Sequence, residues 1–194
     1  MKVLGISASP RRGGNSEALL DKVLEGAGAC GLETEKIILN EQQFRPCQEC
    51  AGCRQTGRCV IDDAMQAVYA RLDAADIVIL ASPIFFGSLS AQLKAMIDRC
   101  QCYWTAKYVL GYHRGGSPVK KGYLILTSAA DKKRFFQNAE SIVKNLFAVL
   151  DIEFKDKLYC PNVDEPFDFA QGKILEHPDC LRHALQLGNS LGGG

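Results

Sequence analysis

Five short apolar, β-branched runs alternate with five amphipathic stretches along this chain, and no other feature restricts its fold so severely. The runs lie at 2–6, 35–39, 76–81, 122–127 and 153–160, and the helical patterns that follow them lie at 17–29, 63–74, 89–100, 134–150 and 172–187. A strand with one wet face alternates apolar and polar residues. These runs, such as Ile77-Val78-Ile79-Leu80-Ala81, are almost continuously apolar, as strands are when helices cover both faces of their sheet. Strands that alternate with helices in this way imply a parallel sheet joined by right-handed crossovers. The expected fold class is α/β, a doubly wound five-stranded parallel sheet with helices on both faces. At 194 residues, 47% of them apolar, the chain suits a single domain of that kind over 1–194, with its closing Gly192-Gly193-Gly194 frayed.

Two connections are longer than a βα loop requires, and long loops in such domains are usually functional. Residues 40–62 contain Cys47, Cys50, Cys53 and Cys59, spaced x2, x2 and x5. Thiolates in so tight a run suit one compact iron–sulfur centre. The pattern is similar to the bacterial ferredoxin run, except that its last gap is five residues and no Pro follows Cys59, which argues for a self-contained four-cysteine site. Gly52 and Gly57 let the backbone wrap a bulky core, Arg45, Arg54 and Arg58 supply charge against an anionic cluster, and Pro46 stiffens the entry. Zinc is the second reading, although its structural sites usually draw ligands as two separated pairs. A loop of thiols without metal is the third. The remaining cysteines, Cys30, Cys100, Cys102, Cys160 and Cys180, read as small buried hydrophobes.

The second connection, 101–121, holds Tyr103, Trp104, Tyr108, Tyr112 and His113 before a Gly115-Gly116-Ser117-Pro118 turn. Its composition fits either a partner surface or cofactor lid, or an apolar cluster packed under a loop.

Charge points away from several functions. Lys and Arg total 23 against 22 acidic residues, a net charge of +1, and the densest basic cluster is the short Lys132-Lys133-Arg134. No nucleic-acid partner is expected. No apolar stretch approaches the ~20 residues that span a bilayer, and no apolar signal segment precedes the first polar turn, so the expectation is a soluble, cytoplasmic protein with reduced thiols and no membrane partner.

The first strand leads into Ser7-Ala8-Ser9-Pro10-Arg11-Arg12-Gly13-Gly14-Asn15-Ser16 and then a helix. Backbone N–H groups at a helix start carry partial positive charge. With Ser7, Ser9, Asn15 and Ser16 as donors, Arg11 and Arg12 as full charges and glycines for close approach, the loop suits a phosphate monoester. It lacks Gly-Lys-Ser/Thr and G-x-G-x-x-G, which removes the P-loop and dinucleotide readings. The blander alternative is a helix cap by Asn15 or Ser16. At the same edge of the sheet the third strand ends in Ser82-Pro83-Ile84-Phe85-Phe86-Gly87-Ser88. Ligands of open α/β sheets bind at that edge. Backbone amides from Pro83 through Ile84 and Phe85 to Gly87 can face a flat ring such as a flavin, with one of Phe85 and Phe86 packed in the core.

Together the loop Ser7 to Ser16, the cysteine run followed by Val60-Ile61-Asp62-Asp63-Ala64-Met65, and the segment Ser82 to Arg99 resemble the iron–sulfur flavoproteins of the NADPH-dependent FMN reductase family. The resemblance covers about the first hundred residues. It implies a flavodoxin-like fold and one FMN per subunit, with Ser9, Arg11, Asn15 and Ser16 at the phosphate and Pro83 to Gly87 facing the ring. It implies a [4Fe–4S] cluster on Cys47, Cys50, Cys53 and Cys59, and a homo-oligomer, dimer or tetramer, in which one subunit's flavin meets a neighbour's cluster. The loop Thr127-Ser128-Ala129-Ala130-Asp131 departs from the glycine-rich stretch of many relatives. The expected activity is flavin-dependent electron transfer fed by a ferredoxin-like carrier or by NAD(P)H. Its rivals are an NAD(P)H-dependent FMN or quinone reductase with a structural cysteine loop, and a non-catalytic thiolate-metal sensor. No acid–base residue is needed, and His113, His177 and His183 show no partner motif.

Overall fold

Every central strand is apolar on both sides because helices cover both sides. The computed structural model describes residues 1–114, 119–163 and 173–193. The expected turn Gly115 to Pro118, the expected helix start at Gly172 and the terminal Gly194 lie outside the described residues. Parallel strands β1 (Lys2–Ser7), β2 (Glu33–Ile38), β3 (Ile77–Phe85), β5 (Lys120–Ser128) and β6 (Ile152–Pro161) form a sheet in the order β2-β1-β3-β5-β6, and the short β4 (Ser88–Leu89) returns antiparallel against β3. Setting the hairpin strand aside, this is the flavodoxin-like order, whose direction of winding reverses between β1 and β3 and opens a crevice at their carboxyl ends.

Helices α1 (Asn15–Ala29) and α6 (Pro178–Ser190) cover one face; α2 (Met65–Ala74), α3 (Ala91–Arg99) and α5 (Lys133–Val149) cover the other. Successive residues of β3 divide between the two cores: Ile77, Ile79 and Ala81 face α1, and Val78 and Leu80 face α2 and α3. β1 and β5 divide in the same way, with Val3 and Ile125 against Leu4 and Leu124. Where α1 crosses α6 the backbones nearly touch, since a Cβ on Gly26 would lie 2.7 Å from the carbonyl oxygen of Leu185. A side chain there would push the helices apart, at a cost of about 1–3 kcal/mol.

Three expectations change. The third strand does not stop at Ala81 but runs on to Phe85 and folds back as a hairpin. The last helix starts at Pro178, the proline occupying a first-turn position where its missing N–H is harmless, after a short 3₁₀ turn at Lys173–Glu176. Cys160 and Cys180, expected as separate thiols, are joined in a disulfide that ties β6 to α6.

An acidic side chain stitches α5 to the edge strand β6. The Glu140 carboxylate accepts from Lys144 Nζ at 2.6 Å, from Lys157 Nζ at 2.7 Å and from the Tyr159 hydroxyl, while Phe136 stacks on Tyr159 with centroids 4.8 Å apart. Burial alone would raise the Glu140 pKa, but these three donors outweigh it and hold the carboxyl down to about 2. A depressed folded-state pKa stabilises the fold fully above the ordinary value of 4.5, and that stabilisation is lost as pH falls from there toward 2. Glu140→Gln should therefore melt below wild type at neutral pH and converge on it at acid pH, as thermal melts across pH 7 to 2 would record; parallel curves would show that Glu140 does not carry this acid sensitivity.

Candidate functional site

The crevice edge is built first from the turn after β1. Ser7 ends the strand fully buried, the Ala8 N–H donates to the Ala81 carbonyl of β3 at 2.8 Å, and Ser90 Oγ donates to the Ala8 carbonyl at 2.7 Å. The loop is thus fixed to β3 and to the start of α3. Ser9 Oγ accepts the Arg11 N–H at 3.0 Å, Gly13 takes a left-handed φ of 64°, and Gly14, not Asn15 or Ser16, occupies the cap position of α1 without a side-chain cap. Asn15 does something else: its amide donates to the Val163 carbonyl at 2.8 Å and accepts the Ile174 N–H at 2.9 Å, tying the loop to the chain just past the end of β6 and to the turn that precedes α6. The hydroxyls of Ser7 and Ser16, and Thr127 Oγ1 on β5, are buried with no hydrogen-bond partner among the described residues. A buried hydroxyl without a partner costs about 1–3 kcal/mol, so this edge suits a ligand with several acceptor oxygens.

Glu17 was not singled out by sequence. Its buried carboxylate accepts from Arg12 Nη1 at 3.0 Å, from the Gly13 N–H at 2.9 Å and from Lys36 Nζ at 3.0 Å, and a first-turn acid is favoured by the helix dipole. It holds the arginine-glycine turn in shape. An acid after an N-terminal Ser on a helix was the available signal.

The second segment is a hairpin. Pro83 lies within β3 opposite Thr127 of β5, Ile84 pairs with Leu89, and Phe85 pairs with Ser88. Phe86 and Gly87 both take left-handed φ, 50° and 75°, the signature of a two-residue type I′ turn. Neither phenylalanine enters the core, against expectation: Phe85 is 42% exposed and Phe86 projects fully into solvent, because both stand at the tip of the hairpin. A Cβ on Gly87 would lie 2.8 Å from the Phe135 ring, so the start of α5 presses on the turn.

The cysteine loop lies at the other end of α3. Cys47, Cys50, Cys53 and Cys59 all line one cleft of about 820 Å³, along with Arg99 and Cys102. Glu49 and Ala51, on either side of Cys50, take left-handed φ of 50° and 58°, a strain of about 1–3 kcal/mol each. Turns of this kind aim successive N–H groups at a common point, as in many phosphate and iron–sulfur sites. Among the described residues, no three His, Cys, Asp or Glu side chains converge closely enough to hold a single metal ion.

Arg99 pins this loop. Its side chain is completely buried; Nη1 donates to Asp63 Oδ2 at 2.6 Å and to the Arg45 carbonyl at 2.7 Å, and Nη2 donates to Asp63 Oδ1 at 3.0 Å and to Cys59 Sγ at 3.4 Å. Asp63 also accepts the N–H groups of Arg45 and Met65. Burial raises the Asp63 carboxyl, but Arg99 and the two backbone donors hold it below the usual carboxylate range. Gln66 Nε2 donates to the carbonyls of Cys59 and Ile61.

The aromatic segment forms the outer wall. It is helical rather than a loop, as α4 (Gln101–Trp104) continued by a π-helical turn at Thr105–Val109. Tyr103 is buried edge-on to Tyr69, whereas Trp104, Tyr108, Val109 and Tyr112 are exposed, so the segment both packs and presents a surface. Tyr112 donates to the Thr56 carbonyl, and Arg114 Nη1 donates to the Gly57 carbonyl at 3.1 Å and to Cys102 Sγ at 3.4 Å. Arg114 also pairs with Asp73 at 3.1 Å and covers the Tyr103 ring at 4.1 Å. Gly57, at φ 63°, leaves room for Ala106, which a Cβ would approach to 2.7 Å. Burial pushes the Cys100 and Cys102 thiols up, in keeping with their reading as packed thiols.

Known proteins resemble the chain in sequence and in fold. The family described as NADPH-dependent FMN reductase matches residues 1–150. An iron–sulfur flavoprotein of Methanosarcina thermophila is 43% identical over 99 residues, 51% of this chain and 52% of the relative; one of Methanocaldococcus jannaschii is 42% identical over 99 residues, 51% of each. The chain thus spans about half the length of these curated relatives. In fold it is similar to a flavone reductase, with TM-score 0.74 at 17% identity over 100% of this chain and 62% of the other. It is also similar to an NAD(P)H:quinone oxidoreductase of Methanothermobacter marburgensis, with TM-score 0.69 at 18% identity over 98% and 96%. Since the matching span takes in most of the chain, including the loop after β1, the hairpin and the cysteine cleft, the chain belongs to the NADPH-dependent FMN reductase family.

Proposed function

We propose that this chain is a flavin-dependent redox protein that binds FMN at the carboxyl edge of β1 and β3 and a [4Fe–4S] cluster in the cysteine cleft, and passes electrons between them. The observation that carries the reading is the placement of all four thiols around one cleft, with a buried guanidinium donating to one of them. A four-iron cluster takes one thiolate per iron, so its ligands ring a volume; zinc draws its ligands onto one point. The unpartnered hydroxyls of Ser7, Ser16 and Thr127 fit the flavin end.

In this reading Ser7, Ser9, Arg11 and Ser16 hold the FMN phosphate, Asn15 keeps their loop in place, and Pro83, Ile84, Phe85, Phe86 and Gly87 bound the ring. Cys47, Cys50, Cys53 and Cys59 ligate the cluster, and the buried walls from Arg99 and Cys102 keep water from its inner side. When bound, flavin exchanges one or two electrons and the cluster exchanges one, so the pair links two-electron donors with one-electron carriers. No side chain needs to move a proton. The partners we propose are a ferredoxin-like carrier or NAD(P)H in the cytoplasm, and a second copy of the chain.

Among the described residues no helix is long and apolar enough to cross a membrane. The exposed Trp104, Tyr108, Val109 and Leu110 form an apolar strip beside the cleft and motivate the oligomer. The rival, a plain NAD(P)H-dependent reductase, has one observation in its favour: Gln66, Arg99, Tyr112 and Arg114 hold the cysteine loop through protein contacts alone.

Protein purified without oxygen should contain FMN near one per chain, with iron and sulfide near four each, and Cys50→Ser should lose most of the iron while keeping the flavin. FMN without iron in the wild type would remove the cluster from the reading. In stopped flow, reduced ferredoxin should bleach the flavin at least about tenfold faster than NADPH does; the reverse order would favour the plain reductase. Sedimentation should show a dimer or tetramer, and a monomer at all concentrations would discard the assembly.

A further inference from the structure

Arg99 does more than its ion pair with Asp63 requires. A surface arginine would pair with one acid and leave its remaining donors in water. Arg99 is fully enclosed, and four of its N–H bonds are spent on Asp63, the Arg45 carbonyl and Cys59 Sγ, while its Nε has no partner among the described residues. Asp63 sits behind it: Arg99 lines the cysteine cleft and Asp63 does not. The acids that do line the cleft, Glu49 and Asp98, are exposed, and Asp98 is paired with Lys94 at 2.7 Å, so solvent screens both. Among the described residues that line the cleft, the buried charge is therefore the positive one of Arg99. A guanidinium cannot shed its proton to escape burial.

We infer that Arg99 is the positioning residue that sets the reduction potential of the cysteine-cleft cluster, through its N–H···S bond to Cys59 and because the positive end of its ion pair with Asp63 is the end that lines the cleft. The inference rests on the proposed function, since it concerns the group those thiols would hold. Reduction adds one electron to that group and makes it more anionic. A buried cation and a hydrogen bond to a ligand sulfur both favour the more anionic form, so Arg99 raises the potential. Asp63 fixes the plane of the guanidinium and offsets the cost of burying it. The wall segment adds only a neutral contact to the quartet among the described residues, Thr105 Oγ1 at 3.7 Å from Cys53 Sγ, whereas Arg114 donates to the sulfur of Cys102 and to the Gly57 carbonyl.

The test is an EPR-monitored redox titration of anaerobically purified wild type, Arg99→Gln and Arg99→Lys, with iron, sulfide and FMN counted in each. Arg99→Gln is expected to weaken reduction of the cluster about tenfold or more, equivalent to about 59 mV downward for one electron. Arg99→Lys, which keeps the charge and loses the fork, should fall between it and the wild type, and the flavin potential should stay fixed in all three. Full iron with an unchanged cluster potential in both variants would overturn the inference and leave the proposed function standing. Loss of iron from both variants would also overturn it, because Arg99 would then serve assembly alone. A wild type without iron would overturn the cluster reading and this inference with it.

Discussion

A buried ion pair, Arg99 with Asp63, holds the candidate metal loop to the sheet, and most of the functional architecture follows from it. Arg99 is the last residue of α3, and Asp63 stands two residues before α2. Joining them brings the ends of two helices on the same face of the sheet together and encloses the chain between Arg45 and Asp63, the span that contains every cysteine of the quartet. Such a pair gains little over a well-packed apolar contact, but removing one partner costs about 3–5 kcal/mol because the other is left buried and uncompensated. Its value here is directional. Four N–H bonds on a rigid plane set where Cys59 stands relative to Arg45, and thereby close the loop.

The same helix connects the two candidate sites. Ser90 caps the start of α3, accepting the Leu93 N–H at 3.3 Å while its hydroxyl donates to the Ala8 carbonyl in the loop after β1. From there to Arg99 is nine residues of helix, about 14 Å of rise. The hairpin after β3 and the cysteine loop are therefore set at a fixed separation by one rigid element packed through Leu93 and Met96, and neither segment can shift without disturbing the core. The doubly wound sheet supplies the crevice, and α3 relates the crevice to the cleft.

Much of this was legible in the sequence where the signal is local. The alternation of runs and helices predicted the parallel sheet because strands covered on both faces need no polar residues, as Ile77 to Ala81 shows. The cysteine spacing predicted a shared centre; the four side chains line one cleft, and among the described residues no three of the side chains that can ligate a metal converge on a single ion. What stayed hidden depended on pairing across the chain. The hairpin escaped because its turn is Phe-Gly rather than the usual Asn-Gly, so one of Phe85 and Phe86 read as a core aromatic. Cys160 and Cys180 are twenty residues apart with no motif between them, and connectivity of that kind is not readable from spacing. Asn15 has the composition of a phosphate ligand, yet its amide is taken by Val163 and Ile174, more than 140 residues away. Arg99 and Asp63, separated by 36 residues, carried no local sign of each other.

The strained turns around Cys50 give the loop its character. Left-handed Glu49 and Ala51 cost about 2–6 kcal/mol together, and such conformations persist only where the surroundings over-determine them. The restraints are visible: Asp63 and Arg99 fix Arg45 on one side, Gln66 fixes Cys59 and Ile61 on the other, and Tyr112 and Arg114 press on Thr56 and Gly57 from outside. A zinc finger forms its site only when metal arrives, so metal binding and folding are one event. This loop is held by hydrogen bonds and packing from the protein itself. Those contacts offset part of its ordering entropy, which lowers the ordering cost left to any group the thiols bind.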